Sequence, residues 1–133
     1  MINYKKVQKK SPIESVDGKW YIQLVHGEQT ELGDLAAHMA SHNSPFSKGV
    51  INGVLTDMVA CIKELLLDGK TVKLADLAIF SLGVRCTGAV TRDEATVDNI
   101  RGFVFNARGT GALTPMEVQR EAHLKELREY SKE

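Results

Sequence analysis

Residues 65–84, LLLDGKTVKLADLAIFSLGV, decide the fold predicted for this chain. Apolar residues at helical spacing end at Asp68-Gly69, and a glycine in this position is typical of a helix C-terminus. Apolar and polar residues then alternate over 71–74, which indicates a short strand. A second alternation runs over 79–84. The stretch therefore predicts a helix, a turn and two consecutive strands.

Two helices are predicted ahead of that stretch, within residues 30–67. Thr30 is a favourable N-cap for the first, and Ser44-Pro45 or Ser47 begins the second. Apolar residues recur along the second at helical spacing, at Val50, Val54, Leu55, Met58, Val59, Ile62, Leu65 and Leu66. This stripe is broader than packing against one short helix requires. We therefore expect a second subunit to cover part of it.

The chain after residue 84 is predicted to form an arm, a strand and a helix. Residues 85–99 are polar and short of core-forming side chains, which indicates an exposed arm. Residues 100–105, IRGFVF, restore a strand. Thr114-Pro115 has the form of a helix start, and a C-terminal helix is predicted over 114–131.

The first 28 residues are predicted to form an N-terminal extension with a pair of strands, over 4–9 and 19–25. With this extension included, the 133 residues fit a single domain. A hydrophobic content of 43% and a charged content of 26% are ordinary for a globular protein. The apolar runs are too short for a membrane span, and no secretory leader is expected. Cys61 and Cys86 lack metal-binding spacing, so two reduced thiols in a cytoplasmic protein are expected.

The order of elements from Thr30 onward resembles the HU/IHF family of small DNA-bending proteins. The resemblance implies an α+β fold with a helical dimer base over 30–67 and a β-saddle over 70–106. The saddle carries the arm, 85–99. The extra N-terminal strands resemble a variant HU-like group of Bacteroidetes-type bacteria. The implied function is non-sequence-specific, architectural DNA binding in the nucleoid, by a homodimer that contacts phosphates and the minor groove.

Three stretches depart from the family pattern. The family turn Gly-aromatic-Gly-x-Phe is represented by residues 75–80, ADLAIF, which keep Phe80 and lack both glycines. The arm has no proline, where the family places one that wedges between bases, and it carries Asp93 and Glu94. The family end Phe-x-Pro-Gly-Lys is replaced by residues 105–109, FNARG.

The candidate DNA contacts are basic side chains of the saddle, the arm and the extension. Guanidinium groups suit phosphate oxygens because they present forked donors. The arginine candidates are Arg85, Arg92, Arg101 and Arg108, and the lysine candidates are Lys73, Lys70, Lys48, Lys5, Lys6, Lys9 and Lys10. Three alternatives stay open: Arg92 pairs with its acidic neighbours, Arg101 is simply a solvated strand residue, and the N-terminal lysines merely guard a strand edge.

Other functions receive less support from the sequence. His38 and His42 are four residues apart and no acidic or cysteine ligand stands at a matching offset, so a surface pair is favoured and no metal is predicted. No nucleophile or paired-carboxylate motif indicates an enzyme, and neither a cofactor nor a small-molecule substrate is expected. Net charge is zero, which leaves a second hypothesis open. In that hypothesis the chain is an HU-like dimeric structural or protein-interaction module that has lost DNA binding.

Overall fold

The computed structural model describes residues 1–127, and the chain divides into two compact units. The first unit comprises residues 1–29 together with residues 119–127, and the second comprises residues 30–118. The second unit holds two helices and a three-stranded sheet, and the first holds a separate three-stranded sheet. Helices and strands are thus present in separate segments, as an α+β chain requires.

Two helices begin the second unit, α1 over Leu32–Ala40 and α2 over Lys48–Leu67. Glu31, not Thr30, is the N-cap of α1, because Glu31 and Asp34 form a reciprocal capping box. Ser47 caps α2, and its side chain accepts a hydrogen bond from the N–H of Val50 at 3.3 Å. The predicted start at Ser47 is confirmed.

The helix α2 ends as the sequence predicts. Asp68 is its C-cap, and Gly69 follows with a φ of 79°, a left-handed conformation that glycine adopts without steric cost. Among residues 1–127, the buried apolar residues are few, namely Ala36, Ile51, Leu66 and Ala78. By contrast, Val50 and Val54 on α2 are 52% and 63% exposed. The apolar surplus predicted for this helix is therefore present on its surface.

The sheet of the second unit has the antiparallel order β3-β4-β5, with β3 over Val72–Leu74, β4 over Ala78–Cys86 and β5 over Ile100–Gly109. The strand predicted over 79–84 is longer at both ends, because β5 pairs with all of β4. The predicted arm consequently begins after Cys86. What remains, residues 87–99, is called the β4–β5 connection, and it ends in a 3₁₀ turn over Val97–Asn99.

The first unit contains a hairpin of β1, over Ile2–Gln8, and β2, over Trp20–Val25. This pair of N-terminal strands is as predicted. A third strand, β6 over Leu124–Glu126, pairs in parallel with residues 2–4 on the other side of β1.

The helix predicted over 114–131 is wrong beyond residue 121. The observed helix α3 covers only Pro115–Glu121, and β6 follows it. Residues 122–127, AHLKEL, include good helix formers, so local propensity does not explain the change. Pairing with β1 explains it, because the ladder gives the backbone groups of residues 124–126 hydrogen-bond partners in a strand. The Thr114 hydroxyl donates to the carbonyl of Gly111 at 3.0 Å. The last part of the predicted helix, from residue 128, lies outside the described residues.

Among residues 1–127, none of the helices has both the length and the apolar character of a membrane span.

Candidate nucleic-acid interface

The two faces of the β3-β4-β5 sheet differ in chemistry, because successive side chains of a strand point to opposite faces. One face carries Phe80, Leu82, Val84, Phe103 and Phe105, which the register pairs across β4 and β5. Phe80 and Phe105 stack with their ring centroids 5.7 Å apart. This apolar face and α2 line a groove of about 350 Å³, to which Val59, Ile62 and Leu66 contribute.

The opposite face of the sheet, here called the basic face, carries Lys73, Ser81, Arg85, Asn106 and Arg108. The register places them together: Lys73 and Arg108 both lie opposite Ile79, Ser81 lies opposite Asn106, and Arg85 lies opposite Gly102. All five side chains are exposed or half-buried. The three strands contain no aspartate or glutamate, so nothing within them offsets these positive charges.

The basic face is long enough to engage a polymer of phosphates. Arg85 and the residue opposite Arg108 are six positions apart on β4, which corresponds to about 20 Å at the rise of an extended strand. One small anion therefore cannot reach both guanidinium groups. Ser81 and Asn106 lie between them and offer neutral hydrogen-bond donors. Neither residue was predicted as a DNA contact from the sequence, although their alternation with Phe80, Leu82 and Phe105 indicates that they lie on the opposite face.

Two glycines, Gly83 and Gly102, lie on the basic face. Gly102 has no atom within 4 Å of the position that a Cβ would take, so the surface is open there. At Gly83 an added Cβ would lie 3.0 Å from the side-chain nitrogen of Asn106. Glycine inside a strand often marks a place where a ligand approaches the backbone closely.

Arg101 does not join the basic face through the regular ladder. Arg85 pairs with Gly102 and Cys86 pairs with Ile100, so Arg101 is the extra residue of a bulge. A bulge bends its strand and redirects side chains, and this one lies where the β4–β5 connection joins the sheet. Arg101 is exposed at that position.

The β4–β5 connection is closed at its base and exposed beyond it. The Thr87 N–H donates to the carbonyl of Asn99 at 2.9 Å, and the Asn99 amide donates to the Thr87 hydroxyl at 3.3 Å. Farther out, the carbonyl of Arg92 accepts from the N–H of Ala95 at 3.2 Å, which forms a turn. Within the described residues no ion pair joins Arg92 to Asp93 or Glu94. Val90 is 94% exposed, and the sequence analysis did not single it out.

The remaining lysine candidates are dispersed. Lys70 forms an ion pair with Asp68 at 3.1 Å, and Lys48 is the first residue of α2. Lys5 and Lys6 point to opposite faces of the first unit's sheet, because they are consecutive in β1. Lys6 lies 4.0 Å from Glu126.

Two other N-terminal lysines follow β1. The ammonium group of Lys9 lies 4.6 Å from the ring centroid of Tyr21, and Lys10 is exposed. The four N-terminal lysines therefore do not form one continuous track. The Nε2 atoms of His38 and His42 lie 3.2 Å apart, and no group of three metal-ligating side chains occurs among residues 1–127.

Comparison with solved structures shows a similar fold elsewhere. A crystal structure provisionally described as a bacterial DNA-binding protein from Bacteroides vulgatus ATCC 8482 superposes with a TM-score of 0.69 at 13% sequence identity. The match covers 95% of this chain and 47% of that one, so this chain spans about half the length of its structural relative. A search of curated proteins finds no match.

A family model accounts for most of the sequence. The model of the HU domain fused to wHTH, Ig or a glycine-rich motif matches residues 1–110, which include the N-terminal hairpin and the whole β3-β4-β5 sheet. Because the match covers well over half of the 133 residues, the chain belongs to this family of HU domains, as its resemblance to HU-like proteins predicts.

Proposed function

We propose that this protein binds double-stranded DNA without sequence specificity, as an architectural protein of the bacterial nucleoid in the cytoplasm. The observation that carries the proposal is the basic face of the β3-β4-β5 sheet. Its three positive side chains are exposed, free of acidic neighbours within the strands, and spread over a length that suits several phosphates. Phosphate contacts fix a protein on a duplex and carry no sequence information. Membership in a family of HU domains supports the same function.

The working unit in this proposal is a homodimer built on the second unit of the chain. Phe105 is 60% exposed and Phe103 is 73% exposed, although both lie on the apolar face of the sheet. Apolar surface of this extent is typical of an interface. A second subunit that fills the groove between this face and α2 would remove this apolar surface from water and would leave the basic face, on the other side of the sheet, exposed.

The β4–β5 connection is proposed to act as the arm that enters the minor groove. Arg92 and Arg101 supply the positive charge, and Val90 supplies an exposed apolar side chain of the kind that can insert at a base step. The hydrogen bonds between Thr87 and Asn99 support this role, because they fix the direction in which the connection leaves the sheet. The N-terminal hairpin is proposed to mark the Bacteroidetes-type variant group.

A salt titration with a random duplex tests the proposal. DNA affinity of the unaltered protein is expected to fall linearly with salt on logarithmic axes, with a slope of about 0.9 per phosphate contact. The variant R85E/R108E is expected to lose most of the affinity and to flatten the slope. The matched control is K19E/K125E, which changes the net charge by the same amount at two exposed lysines of the first unit.

The second hypothesis predicts a different result in the same titration. A dimeric protein-interaction module without DNA binding is supported by the zero net charge and by Asp93 and Glu94 in the β4–β5 connection. Weak association with duplex DNA that is insensitive to salt, and equal in R85E/R108E, would favour that module. A steep slope that the double variant flattens would reject it.

A further inference from the structure

The outer edge of β2 in the first unit is an open strand edge with an unusual composition. The sheet order is β2-β1-β6, so β1 is enclosed and β2 is outermost. The other edge strand, β6, has only three residues, whereas β2 has six. Among residues 1–127, no backbone hydrogen bond reaches β2 from any strand other than β1.

The alternation of hydrogen bonds between β1 and β2 shows which backbone groups of β2 face outward. In an antiparallel pair, residues alternate between those that bond to the partner and those that point away. The carbonyl of Lys19 accepts from the N–H of Lys9, so the odd-numbered residues of β2 face β1. On β1, Ile2 and Tyr4 bond towards β6, which agrees with this phase. The N–H and C=O groups of Trp20, Ile22 and Leu24 therefore point to the open edge.

The same three residues carry exposed apolar side chains on one face of the sheet. Trp20 is 57% exposed, Ile22 is 63% exposed and Leu24 is 43% exposed. The strand WYIQLV contains no charge and no proline. Natural edge strands are usually protected from pairing by lysine, proline, a bulge or short length, and β2 has none of these.

We propose that β2 pairs with β2 of a second copy of this chain, antiparallel and centred on Ile22. In this register Ile22 lies opposite Ile22 of the copy, and Trp20 lies opposite Leu24. The outward-facing N–H and C=O groups of these three residues then form hydrogen bonds with the outward-facing groups of the same three residues in the copy. The contact obeys a two-fold axis, as interfaces between identical subunits generally do.

The composition of β2 favours a second copy over an unrelated extended peptide. Antiparallel pairing about Ile22 places large apolar side chains against large apolar side chains along the whole strand, which cross-strand packing rewards. The nearest charge, on Lys19, falls opposite Val25 and not opposite another cation. A partner strand with alternating charges would instead bury part of them against Trp20 and Leu24. The pairing joins two three-stranded sheets into one and does not depend on DNA binding.

Disulfide trapping tests the register directly. In a background where Cys61 and Cys86 are changed to serine, I22C places two thiols on the proposed axis at a Cα separation of about 5.5 Å, which suits a disulfide. The matched control Q23C lies one residue away on the opposite face of the same strand. Under mild oxidation, I22C is expected to form intermolecular dimers at least about tenfold faster than Q23C, because only the I22C thiols meet that geometry. Equal rates would overturn the proposal.

Analytical ultracentrifugation over a series of protein concentrations gives a second measurement, one that needs no introduced cysteine. The variant I22K would place like charges opposite each other in the proposed pairing. We therefore expect it to lower the average mass of the protein at high concentration. The control Q23K should leave that mass unchanged. This decrease in average mass is expected whether the protein is otherwise a monomer or is already a dimer through another surface. An I22K variant that has the circular dichroism of the unaltered protein and an equal mass at every concentration would contradict the pairing.

Discussion

The carboxylate of Asp76 accepts a hydrogen bond from the backbone N–H of Ala112 at 3.2 Å. This bond ties the turn between β3 and β4 to the segment that follows β5. Asp76 has a φ of 60°, in the left-handed region, where the related family turn uses glycine. Aspartate tolerates this conformation better than most residues. The neighbouring carbonyl of Leu77 accepts from the N–H of Thr110 at 3.1 Å, so the turn is held from both sides.

Substitutions of Asp76 should separate the hydrogen bond from the backbone conformation. D76A loses the acceptor and replaces aspartate by a residue that tolerates positive φ less well, so we expect a loss of about 2 kcal/mol in the free energy of unfolding. D76G also loses the acceptor, but glycine adopts this conformation without steric cost, so the loss should be smaller, about 1 kcal/mol. D76N keeps an acceptor and should cost least. Urea unfolding measures all three, and equal losses in D76A and D76G would contradict the role of the left-handed conformation.

Gly111 should be intolerant of any side chain. Its φ is 54°, and an added Cβ would collide with the carboxylate and Cα of Asp76. We expect G111A to destabilise the protein by more than about 1 kcal/mol, because L side chains are strained at this φ and the turn must shift. G102A is the control, since the space at Gly102 is open. Similar urea midpoints for both variants would show that the turn can move without cost.

Lys73, within β3, and Lys70, just before it, should contribute unequally to DNA binding. Lys73 lies on the basic face, whereas Lys70 is already paired with Asp68 at 3.1 Å. K73A is expected to lower the salt slope of DNA binding by about 0.9, the value for one phosphate contact. K70A should lower it less. Fluorescence anisotropy over a range of salt concentrations gives both slopes, and a larger effect of K70A would move the interface away from the basic face.

Self-association through the second unit should depend on the apolar face of its sheet. Phe103 is 73% exposed there, so F103K is expected to weaken a homodimer that covers this face by at least about tenfold. The control is V97K, because Val97 is 79% exposed and lies in the β4–β5 connection. Analytical ultracentrifugation compares the dissociation constants. A dimer that F103K leaves intact uses another surface.

The hydrogen bonds between Thr87 and Asn99 should restrain the β4–β5 connection. N99A removes the amide donor to the Thr87 hydroxyl and the acceptor that caps the 3₁₀ turn at Thr96. We expect faster proteolytic cleavage within residues 88–95 and weaker DNA binding, although no charge is removed, because the connection must then be ordered on binding. T110A is a control for loss of a hydrogen bond elsewhere, at the carbonyl of Leu74. Unchanged cleavage in N99A would contradict the restraint.

Local patterns were sufficient to predict most of the second unit. The N-cap at Ser47, the helix end at Asp68-Gly69 and the alternation in β3 and β4 are each encoded within a few residues. The excess of apolar residues on α2 could also be predicted from the sequence, because helical spacing fixes which residues share a face. The family resemblance then followed from the order of these elements.

Long-range pairing decided what the sequence pattern left open or predicted wrongly. Residues 124–126 have a spacing compatible with a helix, yet they pair with β1 more than a hundred positions away. The grouping of Lys73, Arg85 and Arg108 depends on the register between three strands. The bulge at Arg101 is a property of that register and not of its neighbours in sequence. Local propensity therefore determined the elements of this protein, whereas backbone pairing between distant segments determined its surfaces, because a hydrogen-bond ladder fixes which side chains share a face only once both strands are in place.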